Sequence, residues 1–123
     1  MGEVLTKQQL QDALKKQKAP HKYHAEGCVV DGIRFPSRKQ ARRYEELKLL
    51  VRAGTIKDLQ IDNLQTTFRL EVNGQLICRY RADATYQENG QLVVEDTKGF
   101  RTEAYQLKRK LMRACHDIEI REV

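Results

Sequence analysis

The chain has 123 residues, enough for one domain and one core, and no run of about 18 apolar residues, so a membrane span is not expected. Its net charge is +6 and its pI about 9.3, which directs attention to a polyanionic partner, nucleic acid first. Three widely spaced cysteines, Cys28, Cys78 and Cys115, suggest a reducing cytosol and no disulfide framework.

The N-terminus, MGEVLTKQQLQDALKKQ, is polar and amphipathic and lacks the apolar centre of a signal peptide. Thr6-Lys7-Gln8-Gln9 has the form of a capping box, and Leu10 and Leu14 follow at helical spacing, which predicts a helix over about 7–17. A basic connector containing Pro20 follows. Asp31-Gly32 is a two-residue hairpin signal between Val29–Val30 and Ile33–Phe35. Ser37 reads as an N-cap with Gln40 at N3, and Ala41, Tyr44, Leu47, Leu50 and Val51 form the stripe of a second helix that Gly54 ends.

Strands then dominate. Ile56–Ile61 reads as a short extended piece. A three-stranded meander is predicted from Thr66–Val72, Gln75–Tyr86 and Leu92–Lys98, turned at Asn73-Gly74 and at Glu88-Asn89-Gly90. Thr102 caps a last helix over about 103–115, with the stripe Ala104, Leu107, Leu111, Ala114 and Cys115. DIEIREV reads as a final strand with Ile118 and Ile120 on one face. The expected fold class is therefore mixed α/β.

The stretch VVEDTKGF carries the chemistry. Strand side chains alternate faces, so Leu92, Val94, Asp96 and Lys98 share one face and Glu95 points to the other. A D-x-K pair at a strand end sets an oxygen ligand beside an ammonium. That suits a hard divalent cation, with a lysine to orient a water or offset phosphate charge. A second carboxylate is needed, and Asp83 on the preceding strand can lie beside Asp96. Each acid alone reads as an exposed strand end; the set of Asp83, Asp96 and Lys98 reads as a site. His21, His24 and Cys28 have no convincing fourth ligand for zinc, and Cys115-His116 sits on an apolar stripe, unsuited to a nucleophilic pair.

The ordered string VDGIRFPSRKQARRYEELKLLVRAGTIKDLQ, YRADATY, VVEDTKGFRT, YQLKRKLM and IREV resembles the PD-(D/E)XK nuclease superfamily, and within it a family of small bacteriophage proteins. The resemblance covers residues 28–123, leaving 1–27 as an N-terminal helix and connector. It implies a restriction-endonuclease-like core of order αβββαβ. It implies Asp83 and Asp96 as ligands of Mg²⁺ or Mn²⁺, the Thr97 carbonyl completing the metal shell, and Lys98 as the catalytic lysine. Gly99 would let the chain leave the strand close to DNA, and Tyr105 and Lys108 would face the nucleic acid. The family pattern usually carries glutamate where this chain has Gln40. That position would join the metal site, or serve only as a helix cap, for which glutamine suffices.

The expected function is a metal-dependent DNA endonuclease that is selective for branched or junction DNA. By analogy with small phage junction-resolving enzymes it would act as a homodimer in the cytoplasm of a bacterial host. Arg38, Lys39, Arg42 and Arg109 join Tyr105 and Lys108 as the expected DNA contacts. Two rivals stand beside it: a catalytically impaired DNA-binding protein with Gln40 in place of the family acid, and a protein-interaction module whose basic charge only keeps it soluble.

Overall fold

The computed structural model describes residues 27–98 and 101–123. The helix expected over 7–17, His21, His24 and Gly99 lie outside the described residues. The chain divides into two compact units, Met1–Arg42 and Arg43–Val123. Among the described residues no helix is long and apolar enough to cross a membrane.

In the first unit, β1 (Cys28–Val30) and β2 (Ile33–Phe35) pair antiparallel, with Cys28 opposite Phe35. Asp31 and Gly32 both have positive φ, 54° and 77°, the geometry a two-residue turn needs to match strand twist. The helix α1 (Arg38–Arg52) begins here. The Gln40 N–H donates to Ser37 Oγ at 3.2 Å, so Ser37 caps the helix as expected.

The second unit contains the rest of α1. The helix closes at Gly54, whose φ of 79° only glycine adopts without cost, while the Thr55 N–H reaches back to the Leu50 carbonyl at 2.9 Å. Leu47 and Leu50 face inward, but Val51, expected on the same stripe, is 40% exposed. Then follow β3 (Ile56–Ile61), a short 3₁₀ turn (Leu64–Thr66), β4 (Thr67–Val72), β5 (Gln75–Arg81), β6 (Ala84–Glu88) and β7 (Gln91–Asp96). The helix α2 (Glu103–His116), capped by Thr102, and β8 (Arg121–Glu122) complete the chain.

The main sheet has the order β3-β6-β7-β8, with β8 parallel to β7 and the other neighbours antiparallel. This corrects the expected meander in two places. The stretch read as one strand, 75–86, is broken at Ala82-Asp83. And Thr66–Val72 does not join the main sheet; Ile56–Ile61 takes that place beside β6, while β4 and β5 form a separate two-stranded ribbon.

The break has a visible cause. Asp83 turns its carboxylate to the Thr97 N–H at 2.8 Å, and its carbonyl accepts from the Asp62 N–H at 3.1 Å. Across from it, Asp62 adopts a positive φ and Asn63 caps the 3₁₀ turn through the Gln65 N–H at 2.8 Å. Ala82 consequently packs in one core and Ala84, two residues on, in another.

Those two cores lie on opposite faces of the main sheet. Leu47 of α1 packs with Ile56, Ala84 and Tyr86 on one face. On the other, Tyr105 and Met112 of α2 pack with Val94, Ile120, Leu70 and Tyr80, so the ribbon shares this core. The stripe of α2 is rotated from the expected one. Tyr105 and Met112 are buried, and Leu107 is 56% exposed. The final strand is shorter than expected, because Asp117 leaves α2 in a left-handed conformation, but Ile118 and Ile120 do pack into the same core.

Candidate functional site

The ladder of β6 and β7 pairs Ala84 with Glu95 and Thr85 with Val94. Extending it by one residue sets Asp83 opposite Asp96. Both acids line one cavity of about 500 Å³ together with Lys98, Arg79, Arg81 and Lys108. The alternation expected along β7 holds: Asp96 opens toward this cavity, while Glu95 turns to the other face of the sheet.

Asp96 is only 3% exposed, and a buried carboxylate needs partners. Tyr80 donates its hydroxyl to Asp96 Oδ2 at 2.5 Å, and Lys98 Nζ stands 3.4 Å from the same oxygen. Burial, and then the Asp96 carboxylate, hold the Tyr80 hydroxyl well above its ordinary pKa, so it stays a donor. The Lys98 ammonium also sits over the Tyr105 ring, 4.0 Å from its centroid.

Glu122 pairs with Asp96 across the parallel β7–β8 ladder. Its carboxylate accepts from Arg101 Nε at 2.8 Å and from the Tyr105 hydroxyl at 2.7 Å, and Arg109 lies 3.5 Å away. Those donors, Arg101 first and Tyr105 second, hold its carboxyl down to about 2. Tyr105 therefore links two carboxylates: its hydroxyl fixes Glu122 and its ring face holds the lysine beside Asp96.

Behind the sheet, Glu95 is 1% exposed and is gripped by Arg43 through two parallel bonds, Nε at 2.8 Å and Nη2 at 2.9 Å. Tyr86 adds its hydroxyl at 2.6 Å. Arg43 is thus an internal clamp on the strand that carries Asp96.

The remaining expected residues fall as follows. Thr97 is half-buried and its N–H serves Asp83. Lys108 lines the cavity. Tyr105, expected to face nucleic acid, is 7% exposed; its ring closes α2 onto Tyr80 in the core and also lines the cavity. Arg109 is tied to Glu119 and Glu122, at 3.4 and 3.5 Å. Arg38, Lys39 and Arg42 are exposed in the first unit, where Gln40 Oε1 accepts from Ser37 Oγ at 3.1 Å. The Cys115 thiol donates to the Glu71 carbonyl at 3.2 Å, and His116 Nε2 lies 2.7 Å from the Arg69 carbonyl, so each is engaged with β4.

Sequence reasoning missed Tyr80, Glu122, Arg79 and Arg81. Tyr80 had a signal, since Phe68, Leu70, Cys78 and Tyr80 form the inward rows of one hairpin. Glu122 had none, because its partner strand is distant in sequence and parallel. Among the described residues no three His, Cys, Asp or Glu side chains gather as a metal cluster. The cavity offers a pair of carboxylates.

Fold and cavity together define a small mixed α/β protein with an acid pair and a lysine at one end of its main sheet. A family model matches residues 20–122, and the chain belongs to that family, described as "Protein of unknown function (DUF1064)". No curated protein and no solved structure was found to match it.

Proposed function

We propose that the chain is a metal-dependent DNA endonuclease of the PD-(D/E)XK superfamily, with Asp83, Asp96 and Lys98 as its reacting side. The observation that carries this reading is the convergence of those three residues on one cavity, with Lys98 Nζ 3.4 Å from Asp96. The element order supports it. Leaving the ribbon aside, α1, β3, β6, β7, α2 and β8 follow the αβββαβ order of a restriction-endonuclease-like core.

The donor set fits the implied cation. Mg²⁺ is commonly held by one or two carboxylates, with water and substrate phosphate filling its remaining positions. Asp83 and Asp96 would hold it, and the Thr97 carbonyl could add a third oxygen. Once bound, a divalent cation polarises the scissile phosphate and lowers the pKa of a water. Lys98 orients the attacking water and offsets charge building on the phosphate. Tyr80 fixes the orientation of Asp96, and Arg79, Arg81 and Lys108 draw the phosphate backbone into the cavity. A branched substrate, a dimeric enzyme and a phage origin belong to the same reading.

One observation favours a second reading, a catalytically impaired DNA-binding protein. Gln40, where related nucleases carry an acid, is engaged with its own N-cap Ser37, and among the described residues the cavity carries two carboxylates, Asp83 and Asp96. A cleavage panel decides between the readings. Linear, flapped and four-way DNA are incubated with Mg²⁺ or Mn²⁺ and resolved on denaturing gels. Nicks that vanish with Asp96→Asn support the nuclease; DNA retained but never cut, with either metal, supports the second reading.

A further inference from the structure

The β4–β5 ribbon carries a feature that its packing does not need. Its inward rows, Leu70 with Cys78 and Phe68 with Tyr80, belong to the core. On its outward face Arg69 and Arg79 are directly opposite one another, and Arg81 follows Arg79 on the same side, opposite Thr67. Like charges placed opposite across an antiparallel pair destabilise it. Arg69 is offset by Glu71 at 2.6 Å, and Arg81 by an exposed Asp62 at 3.6 Å. Among the described residues Arg79 has no ion-pair partner.

The helix α2 differs. Its arginines are each matched: Arg109 with Glu119 and Glu122, and Arg113 with Asp117 and Glu119. A phosphate approaching Arg109 or Arg113 must displace a carboxylate, whereas one approaching Arg79 relieves its repulsion with Arg69. The ribbon's arginine row also runs into the acidic cavity, since Thr67, Arg79 and Arg81 line it beside Asp83 and Asp96.

We infer that the outward face of the β4–β5 ribbon, through Arg69, Arg79 and Arg81, is the surface that docks the phosphate backbone of a DNA duplex and leads it into the Asp83–Asp96 cavity. The inference rests on the proposed function for the direction of the track, while the docking stands on charge and register alone. A two-stranded ribbon fits the groove of B-form DNA, about 12 Å wide, better than the deep, narrow major groove of an RNA helix.

The test is binding without cleavage. A short fluorescein-labelled DNA duplex is titrated with the full chain in EDTA, by anisotropy, over a series of salt concentrations. Arg69→Gln with Arg79→Gln is expected to reduce the slope of log affinity against log salt by about 1.8, from about 0.9 per phosphate contact. Arg69→Lys with Arg79→Lys should keep the slope, which separates charge from any loss of folding. Arg113→Ala, on an already matched arginine, should leave it unchanged. A ribbon variant that binds with the parent slope overturns the inference, as does preferential, ribbon-dependent binding of duplex RNA. Parent protein that binds no duplex at low salt overturns it together with the nuclease reading. Ribbon-dependent binding without cleavage in any metal leaves the inference standing and removes the nuclease.

Discussion

Lys98 is held between two unlike partners: the Asp96 carboxylate at 3.4 Å and the face of the Tyr105 ring, with 4.0 Å to its centroid. A lysine has a long, freely rotating stem, so a fixed ammonium position requires at least two constraints. The ring supplies one of them without adding a negative charge to compete with phosphate. Tyr105→Leu should therefore slow cleavage about 2- to 30-fold, the range a cation–π contact of about 0.5–2 kcal/mol allows. Tyr105→Phe keeps the ring and should keep most of the rate. Single-turnover cleavage of the two variants side by side checks this; equal losses would mean the hydroxyl bond to Glu122, not the ring, matters.

The clamp behind the sheet is a stability element. Arg43→Ala leaves Glu95 buried with only the Tyr86 hydroxyl, and breaking a buried pair from one side costs about 3–5 kcal/mol. Lys48→Ala removes an i,i+3 pair with Glu45 and a cation–π contact with Tyr44, both close to solvent, and should cost about 1 kcal/mol or less. Urea unfolding of both variants gives the comparison. Similar midpoints would show that the clamp contributes little.

Glu122 predicts an acid-limb effect. Its carboxyl titrates near 2 in the folded chain against an ordinary 4.5, because Arg101 and Tyr105 bond the charged form. A depressed folded value means the stabilisation is complete above about 4.5 and is lost as the pH falls toward 2. Glu122→Gln should accordingly be less stable than the parent at neutral pH, and the gap should close between pH 4.5 and about 2. Thermal melts across that window measure it. A gap that is constant with pH would assign the effect to shape, not charge.

Position 40 should tune the metal site. Gln40 keeps the length of glutamate without its charge, and an amide attracts a hard cation much less than a carboxylate does. Cleavage by this sequence is expected to be weak, and Gln40→Glu should tighten metal binding and raise the rate. The Ser37 cap predicts a separate cost, about 1 kcal/mol for Ser37→Ala, with no effect on metal affinity. Metal titration and cleavage of both variants distinguish the roles. A Gln40→Glu protein unchanged in both would make residue 40 a cap alone.

Where local chemistry decides structure, the sequence was readable. Asp31-Gly32, Asn73-Gly74 and Asn89-Gly90 each turn the chain with two positive φ values, and Ser37, Gly54 and Thr102 bound the helices as their types require. Strand alternation alone separated Asp96 and Lys98 from Glu95. Long-range choices were hidden. Nothing in RYRADATY signals the break at Asp83, because its cause is an N–H fourteen residues away, just past the end of β7. The exchange of β4 for β3 beside β6 follows from that break. Tyr105 displaced Leu107 from the core because its hydroxyl has Glu122 to meet, a partner that only the parallel β7–β8 pairing brings within reach. For the same reason the pairing of the α2 arginines with acids from the C-terminal segment was out of reach of charge counting.

The central claim is that Asp83 and Asp96 together hold a divalent cation that cuts DNA. Single-turnover cleavage with protein in excess and Mn²⁺ present, comparing the parent with Asp83→Asn and Asp96→Asn, tests it most directly. The account predicts slow nicking by the parent, none by either variant and none in EDTA, with all three proteins folded and DNA still bound. Nicking that persists undiminished in Asp96→Asn, or a parent that never cuts even as Gln40→Glu, would contradict it.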